Sequence, residues 1–248
     1  MSPITLPHIL LIGSTGRTGR LILLEGLTRD YTITALARDP ASLSTLTSSL
    51  PDPQRSNLHI LTADPTSQSD LETALSTTFS HAGGKPVVII STLGQTRKSG
   101  NPWSAPTSPP MFMTRAAEAL IAAITALSEA QRARIEKLII MSMFGAGTSF
   151  ANLHCLIRPV MKWSNMTQTV EDHNGVDGVI RGQGVVKWVM VRPSMLKEGG
   201  EMPVVVRGEE GVGEEWMPSG VTMGSVAGFM LGCVTSGEWD GKTPVICN

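Results

Sequence analysis

The chain has 248 residues, of which 17% are charged, and a net charge of −1 at pH 7. A near-neutral surface gives no electrostatic basis for binding nucleic acid or an acidic membrane, and the length suits one large core, so residues 1–248 are expected to form a single domain. Three scattered cysteines, Cys155, Cys233 and Cys247, are without C-x-x-C or His-rich company and read as reduced packing residues, with no metal site expected.

The run Ile9 to Ile12 predicts a short strand buried on both faces, and the apolar residues resuming at Leu21 predict a covering helix that ends near Thr28. Between them lie Gly13, Ser14, Thr15, Gly16, Arg17, Thr18 and Gly19, with glycines spaced G-x-x-G-x-x-G rather than G-x-G-x-x-G. A strand that stops and a helix that starts this abruptly leaves helical N–H groups pointing outward at the positive end of a dipole. That is an anion site suited to the pyrophosphate of a dinucleotide. Gly13 would supply the tight turn, Gly16 a close backbone approach and Gly19 close packing of helix on strand.

Tyr31 to Ala37 alternates as a second strand and ends at Arg38-Asp39-Pro40. At such a strand tip an acidic residue would take the ribose 2′-hydroxyl of NAD. Arg38 stands there instead, and its guanidinium suits the 2′-phosphate of NADP, with Arg17 able to clamp the same group. The alternative for Arg38 is a solvated turn residue paired with Asp39. Ala41 to Leu50 reads as a short helix, Pro51-Asp52-Pro53 as a linker and Leu58 to Thr62 as the third strand. Asp64 either hydrogen-bonds the adenine amino group or caps the next helix, Ser69 to Phe79.

Pro86 to Gly94 is an apolar strand whose exit, Thr92, Leu93 and Gly94, should line the cofactor. The segment 95–110 carries four prolines and Trp103 and is too long for a plain connection, so it reads as a substrate-side loop. Trp103 either covers a flat substrate or tethers the loop. Met111 to Leu127 predicts a helix and Glu129 to Arg134 a polar turn. Leu138 to Gly145 is the fifth strand with its exit, bringing Ser142, Met143 and Phe144 to the sheet edge. Ser142 either faces the nicotinamide and substrate or satisfies backbone groups at the strand end.

Leu153 to Trp163 reads as a broken helix, and Thr169-Val170-Glu171-Asp172-His173 as the start of another, with its acids in the first turn. A proton relay at Asp172 and His173 is the alternative to capping. Val185 to Val191 is the sixth strand, and Arg192-Pro193-Ser194-Met195-Leu196 ends it beside the nicotinamide. Residues 197–220 form a second substrate-side loop around a small strand at Val204 to Val206. Met223 to Val234 is the last helix and Pro244 to Cys247 the last strand. Strand and helix alternate throughout, which implies an α/β fold built on one Rossmann-type doubly wound parallel sheet with helices on both faces. No basic segment followed by a long apolar run opens the chain, so a cytoplasmic protein is expected, and Asn165-Met166-Thr167 reads as an accidental glycosylation match.

With these residues in view, the chain resembles the atypical short-chain dehydrogenases of the NmrA-like group. The resemblance spans nearly the whole length and rests on the glycine turn, Arg38-Asp39, Leu93-Gly94, Ser142, Glu171-Asp172-His173, Val191-Arg192-Pro193 and the tail from Ala227 to Gly241. It implies NADPH-dependent hydride transfer to planar conjugated acceptors. It also places Gly13, Thr15, Gly16, Arg17, Thr18, Arg38, Asp64, Leu93, Gly94, Ser142 and Pro193 around NADP(H), with Ser142 at the catalytic centre. Ser14, Gly19, Thr92, Met143, Phe144 and Met195 complete the expected cofactor surface, and Trp103 and Met195 the substrate surface. Two departures stand out. The Tyr-x-x-x-Lys pair of ordinary short-chain dehydrogenases cannot exist where Tyr31 is the only tyrosine, and Met195 stands where flavin reductases of the group carry a histidine. The expected partner is a small-molecule substrate and the expected assembly a monomer or weak homodimer. A non-catalytic NADP sensor, or an isomerase or cyclase retaining NADP(H), is the competing expectation.

Overall fold

The computed structural model describes residues 6–48, 50–211 and 220–248. Strand β1 (His8–Ile12) leads into α1 (Arg17–Thr28), and β2 (Ile33–Ala37) into the short helices α2 (Ala41–Ser48) and α3 (Asp52–Ser56). Then come β3 (Leu58–Thr62), α4 (Gln68–Ala82), β4 (Val87–Ser91), α5 (Phe112–Ala126), α6 (Glu129–Arg132) and β5 (Ile135–Met141). A 3₁₀ segment (Gly147–Asn152), α7 (Ile157–Trp163) and α8 (Met166–Gly182) precede β6 (Trp188–Pro193), β7 (Leu196–Lys197) and β8 (Val205–Val206). The chain closes with β9 (Val221–Thr222), α9 (Met223–Thr235) and β10 (Val245–Cys247).

The large sheet runs β3-β2-β1-β4-β5-β6-β10-β8, and β7 pairs separately with β9. Its neighbours are parallel except β10 with β8. Strand order reverses between β1 and β4, and such a switch point opens a crevice at the carboxyl ends of the strands. Side chains alternate across the pleat, so each strand feeds two cores. Ile9, Leu11, Ile33, Ile90 and Val191 pack with α1 and α9 on one side, while Leu10, Ile12, Ile89, Leu138 and Met190 pack with α4, α5 and α8 on the other. Burial on both faces explains why these strands read as continuous apolar runs. Among the described residues no helix is long and apolar enough to cross a membrane.

Several boundaries differ from the sequence expectations for identifiable reasons. The Pro51-Asp52-Pro53 linker is the start of α3, because proline fits the first helical turn, where its missing N–H costs nothing. The expected polar turn at Glu129 is α6, held by a capping box between Ser128 and Gln131. Helix α8 starts at Met166, ahead of Thr169, so Glu171 and Asp172 lie beyond its first turn. Strand β6 begins three residues later than the apolar run Val185 to Val191, because Gln183 holds Val185 and Val186 by their backbone N–H groups in a turn. The small strand predicted at Val204 to Val206 is β8, while the β7–β9 pair carried no readable pattern at two residues each. Of the flap expected at 197–220, residues 212–219 lie outside the described residues.

Candidate functional site

A cleft of about 220 Å³ opens over the carboxyl ends of β1, β2 and β4. Gly13, Thr15 and Gly16 form one wall, Leu36, Ala37 and Arg38 the strand tip beside it, and Thr92, Leu93 and Gly94 the floor. Thr96, Thr107, Ser108 and Pro109 of the 95–110 loop make the opposite wall.

Each glycine of the turn answers to a specific contact. Gly13 has φ +87°, and a methyl group there would lie 2.8 Å from the Thr92 hydroxyl oxygen. Gly16 would bring a Cβ to 3.2 Å from the Gly13 carbonyl oxygen, and a methyl on Gly19 would overlap that same oxygen. The turn is fastened from outside. The Ser14 hydroxyl donates to the Leu36 carbonyl at 2.6 Å, and the Thr92 hydroxyl donates to the Ile12 and Gly13 carbonyls at 3.3 and 3.1 Å. Ser14 is fully buried, so its side chain builds the turn and cannot reach a ligand in the cleft. Helix α1 begins at Arg17 with Gly16 as its N-cap, no capping side chain and no acidic residue in its first turn. Its leading N–H groups therefore remain available at the positive end of the helix. Thr18 is buried, and Arg17 is exposed outside the cleft lining.

Arg38 is exposed on the cleft edge, with no ion pair among the described residues. Asp39 is engaged elsewhere, its carboxylate accepting the Ala41 N–H at 3.0 Å at the start of α2. Asp64 does not cap α4. Its Oδ1 accepts the backbone and hydroxyl hydrogens of Thr66, both at 2.8 Å, while Ser67 caps α4 and Ala63 and Pro65 line the cleft.

The residues present fit a dinucleotide, with its diphosphate on the uncapped turn and the Cβ-free approach at Gly16. The family model described as NAD(P)H-binding matches residues 13–237. The chain belongs to this NAD(P)H-binding family. No curated protein matches the sequence. Solved structures share its fold. ChuY, an anaerobilin reductase from Escherichia coli O157:H7, is 17% identical with a TM-score of 0.68 over 96% of each chain. A short-chain dehydrogenase/reductase from Veillonella parvula in complex with NADP is 13% identical with a TM-score of 0.69 over 98% of this chain and 95% of that one. The oxidoreductase ylbE from Lactococcus lactis is 19% identical with a TM-score of 0.62 over 97% and 90%. The NAD(P)H-binding family and the fold that the sequence resemblance implied agree with these findings.

In this NAD(P)H-binding protein, the residues expected at the redox end are spread more widely than the sequence implies. Ser142 follows β5, and its N–H donates to the Val191 carbonyl at 2.7 Å. Its hydroxyl oxygen is buried without a partner and outside the cleft lining. Phe144 is turned away, packed with Leu153 and Val245 and against Gly211. Met143 is half-buried, Pro193 is buried at the end of β6, and Met195 beyond it is 69% exposed. None of these lines the cleft. They follow β5 and β6, whereas the cleft lies over the tips of β1, β2 and β4.

Trp103 neither covers the cleft nor tethers the loop through its ring, which is 62% exposed. The tether is its carbonyl, which accepts from the Asn165 side chain at 2.7 Å. Asp172 is a cap, but for another helix. Its carboxylate accepts the N–H groups of Met113 and Thr114 at 3.1 and 2.8 Å and the Thr114 hydroxyl at 2.8 Å, closing the start of α5. His173 lines a small cavity behind the floor, shared with Ile12, Pro65 and Leu93, and burial lowers its pKa to about 4. It is neutral at pH 7. The wall made by Thr96, Thr107 and Ser108 escaped the sequence reading, since no spacing rule joins residue 96 to residues 107 and 108.

Proposed function

We propose that the protein is an NADPH-dependent reductase that delivers hydride to a planar conjugated small molecule such as a flavin, quinone or enone. The observation that carries this reading is the uncapped α1 N-terminus and the unpaired Arg38 on one cleft. The first turn of α1 would hold the diphosphate and Arg38 the 2′-phosphate, with Leu93 and Gly94 as the floor. The bound nicotinamide supplies the hydride. The chain supplies position: a rigid wall and floor that fix donor and acceptor in contact and keep water from between them.

Proton delivery narrows the acceptor. Among the described residues, the cleft lining includes hydroxyls and Arg38 but no carboxylate, imidazole, lysine or phenol. Tyr31 is buried two residues ahead of β2, and His173 is neutral behind the floor. A flavin or quinone, which takes its proton from water after reduction, suits a chain whose sole tyrosine is buried and whose His173 is neutral. The test is NADPH oxidation followed by loss of nicotinamide absorbance across a panel of flavins, quinones and enones. Turnover on a flavin or quinone supports the reading. Tight NADPH binding without turnover on any acceptor refutes it and favours a non-catalytic NADP sensor, for which the same lack of acid–base groups speaks.

A further inference from the structure

We propose that residues 95–109 form a preformed clasp over the cofactor, in which the one hydroxyl hydrogen left over by the Thr96, Thr107 and Ser108 cluster is donated to an oxygen of the dinucleotide's ribose–diphosphate backbone. The proposal rests on the dinucleotide reading above and reassigns to the cofactor a loop that the sequence suggested for the substrate. All three residues line the cleft opposite the glycine turn.

Their hydrogen bonds leave something over. The Thr96 hydroxyl lies 2.7 Å from that of Thr107 and 2.9 Å from that of Ser108, while the Thr96 N–H donates to the Ser108 oxygen at 2.7 Å. Three hydroxyls carry three hydrogens, and two internal contacts use two of them. Whichever way the chain of bonds runs, one hydroxyl hydrogen remains for an acceptor in the cleft. Hydroxyls bonded in series polarise one another, so that free donor is stronger than a lone threonine would be. Across the cleft stand N–H donors and a guanidinium, and a ligand rich in acceptor oxygens satisfies both walls. A ribose–diphosphate has that chemistry.

The wall is rigid before any ligand arrives. Arg97 bridges to Pro106, Lys98 N–H donates to the Ala105 carbonyl at 3.3 Å, and Thr107 N–H donates to the Thr96 carbonyl at 2.8 Å. These make a small hairpin whose two legs carry Thr96 on one side and Thr107 and Ser108 on the other. The Arg97 guanidinium pins it from beneath, donating to the Pro102, Ser104 and Asn165 carbonyls, to Gln95 Oε1 and to Thr169 Oγ1. Asn165 and Thr169 flank the start of α8, so the loop is fixed to the body of the fold. Arg97 is thus a positioning residue, and binding does not have to order the loop.

The experiment measures NADPH affinity by calorimetry and its dissociation rate by stopped-flow nicotinamide fluorescence, for the unaltered protein and for Thr96→Val, Thr107→Val and Ser108→Ala. Trypsin cleavage after Lys98 monitors the hairpin. The expected result is affinity weakened about 5–30-fold, carried by faster dissociation, with the hairpin as resistant to trypsin as before. Dissociation rates within about twofold of the unaltered protein in all three variants overturn the clasp. Faster dissociation accompanied by trypsin cleavage also overturns the contact, since the hydroxyls then serve only to hold the loop. Failure of the unaltered protein to bind NADPH or NADH refutes the dinucleotide reading itself.

Discussion

Arg38→Ala is the substitution that separates the two nicotinamide cofactors. Arg38 is exposed on the cleft edge, and the neighbouring Asp39 is occupied at the start of α2, so truncation strands no charge and should leave stability within about 0.5 kcal/mol. A charge-assisted hydrogen bond to a 2′-phosphate contributes about 1.5–3 kcal/mol, which corresponds to roughly 10–100-fold in affinity. Because the site is open to solvent, salt screening should place the loss near the lower bound at physiological ionic strength and nearer the upper one in dilute buffer. Calorimetric titration with NADPH and NADH in both buffers measures this, and NADH affinity should barely change. Equal losses for the two cofactors, or a loss insensitive to salt, would refute the assignment of Arg38 to the phosphate.

Other expectations concern stability. Asp172→Ala strips a buried carboxylate from two N–H groups and a hydroxyl at the start of α5, and should lower the thermal midpoint by about 4–12 °C, from about 2–3 kcal/mol; a change under about 2 °C would show that the cap contributes little. Ser142→Ala deletes a buried hydroxyl that has no partner, so the cofactor-free protein should melt at the same temperature or higher, and a marked loss in differential scanning calorimetry would mean the hydroxyl is bonded. His173 and His8 both have folded pKa values of about 4, below the ordinary 6.5, through burial foremost. The unfolded chain therefore binds more protons between pH 6.5 and 4. Stability is full above that window and falls as pH drops through it, by at most about 1.4 kcal/mol per pH unit for each histidine. Urea unfolding at stepped pH reads the slope, and His173→Gln should flatten it.

The doubly wound sheet was legible because its requirements are local. Apolar runs buried on both faces announce the strands, and within the turn Gly13 is demanded by its φ of +87° and Gly19 by its approach to the Gly13 carbonyl. Arg38, Leu93 and Gly94 reach the cleft because each follows directly from a strand end that the pattern defines. What escaped depends on distance along the chain. Arg97 finds its acceptors 68 and 72 residues away, and only that anchorage brings Thr96 to Thr107 and Ser108. Asp172 looked like a cap for its own helix and serves one that begins 60 residues earlier, a pairing no window of sequence contains. Ser142 and Phe144 sit at the expected strand exit, yet that exit follows β5, whereas the cleft lies over the tips of β1, β2 and β4.

The carboxylate shared between two helices also makes amide exchange informative. Any breathing of α8 away from the sheet exposes the Met113 and Thr114 amides to deuterium and, through Asn165 and Thr169, slackens the guanidinium anchor. Those two amides thus act as built-in gauges, and their exchange should slow when NADPH steadies the far end of the same lever.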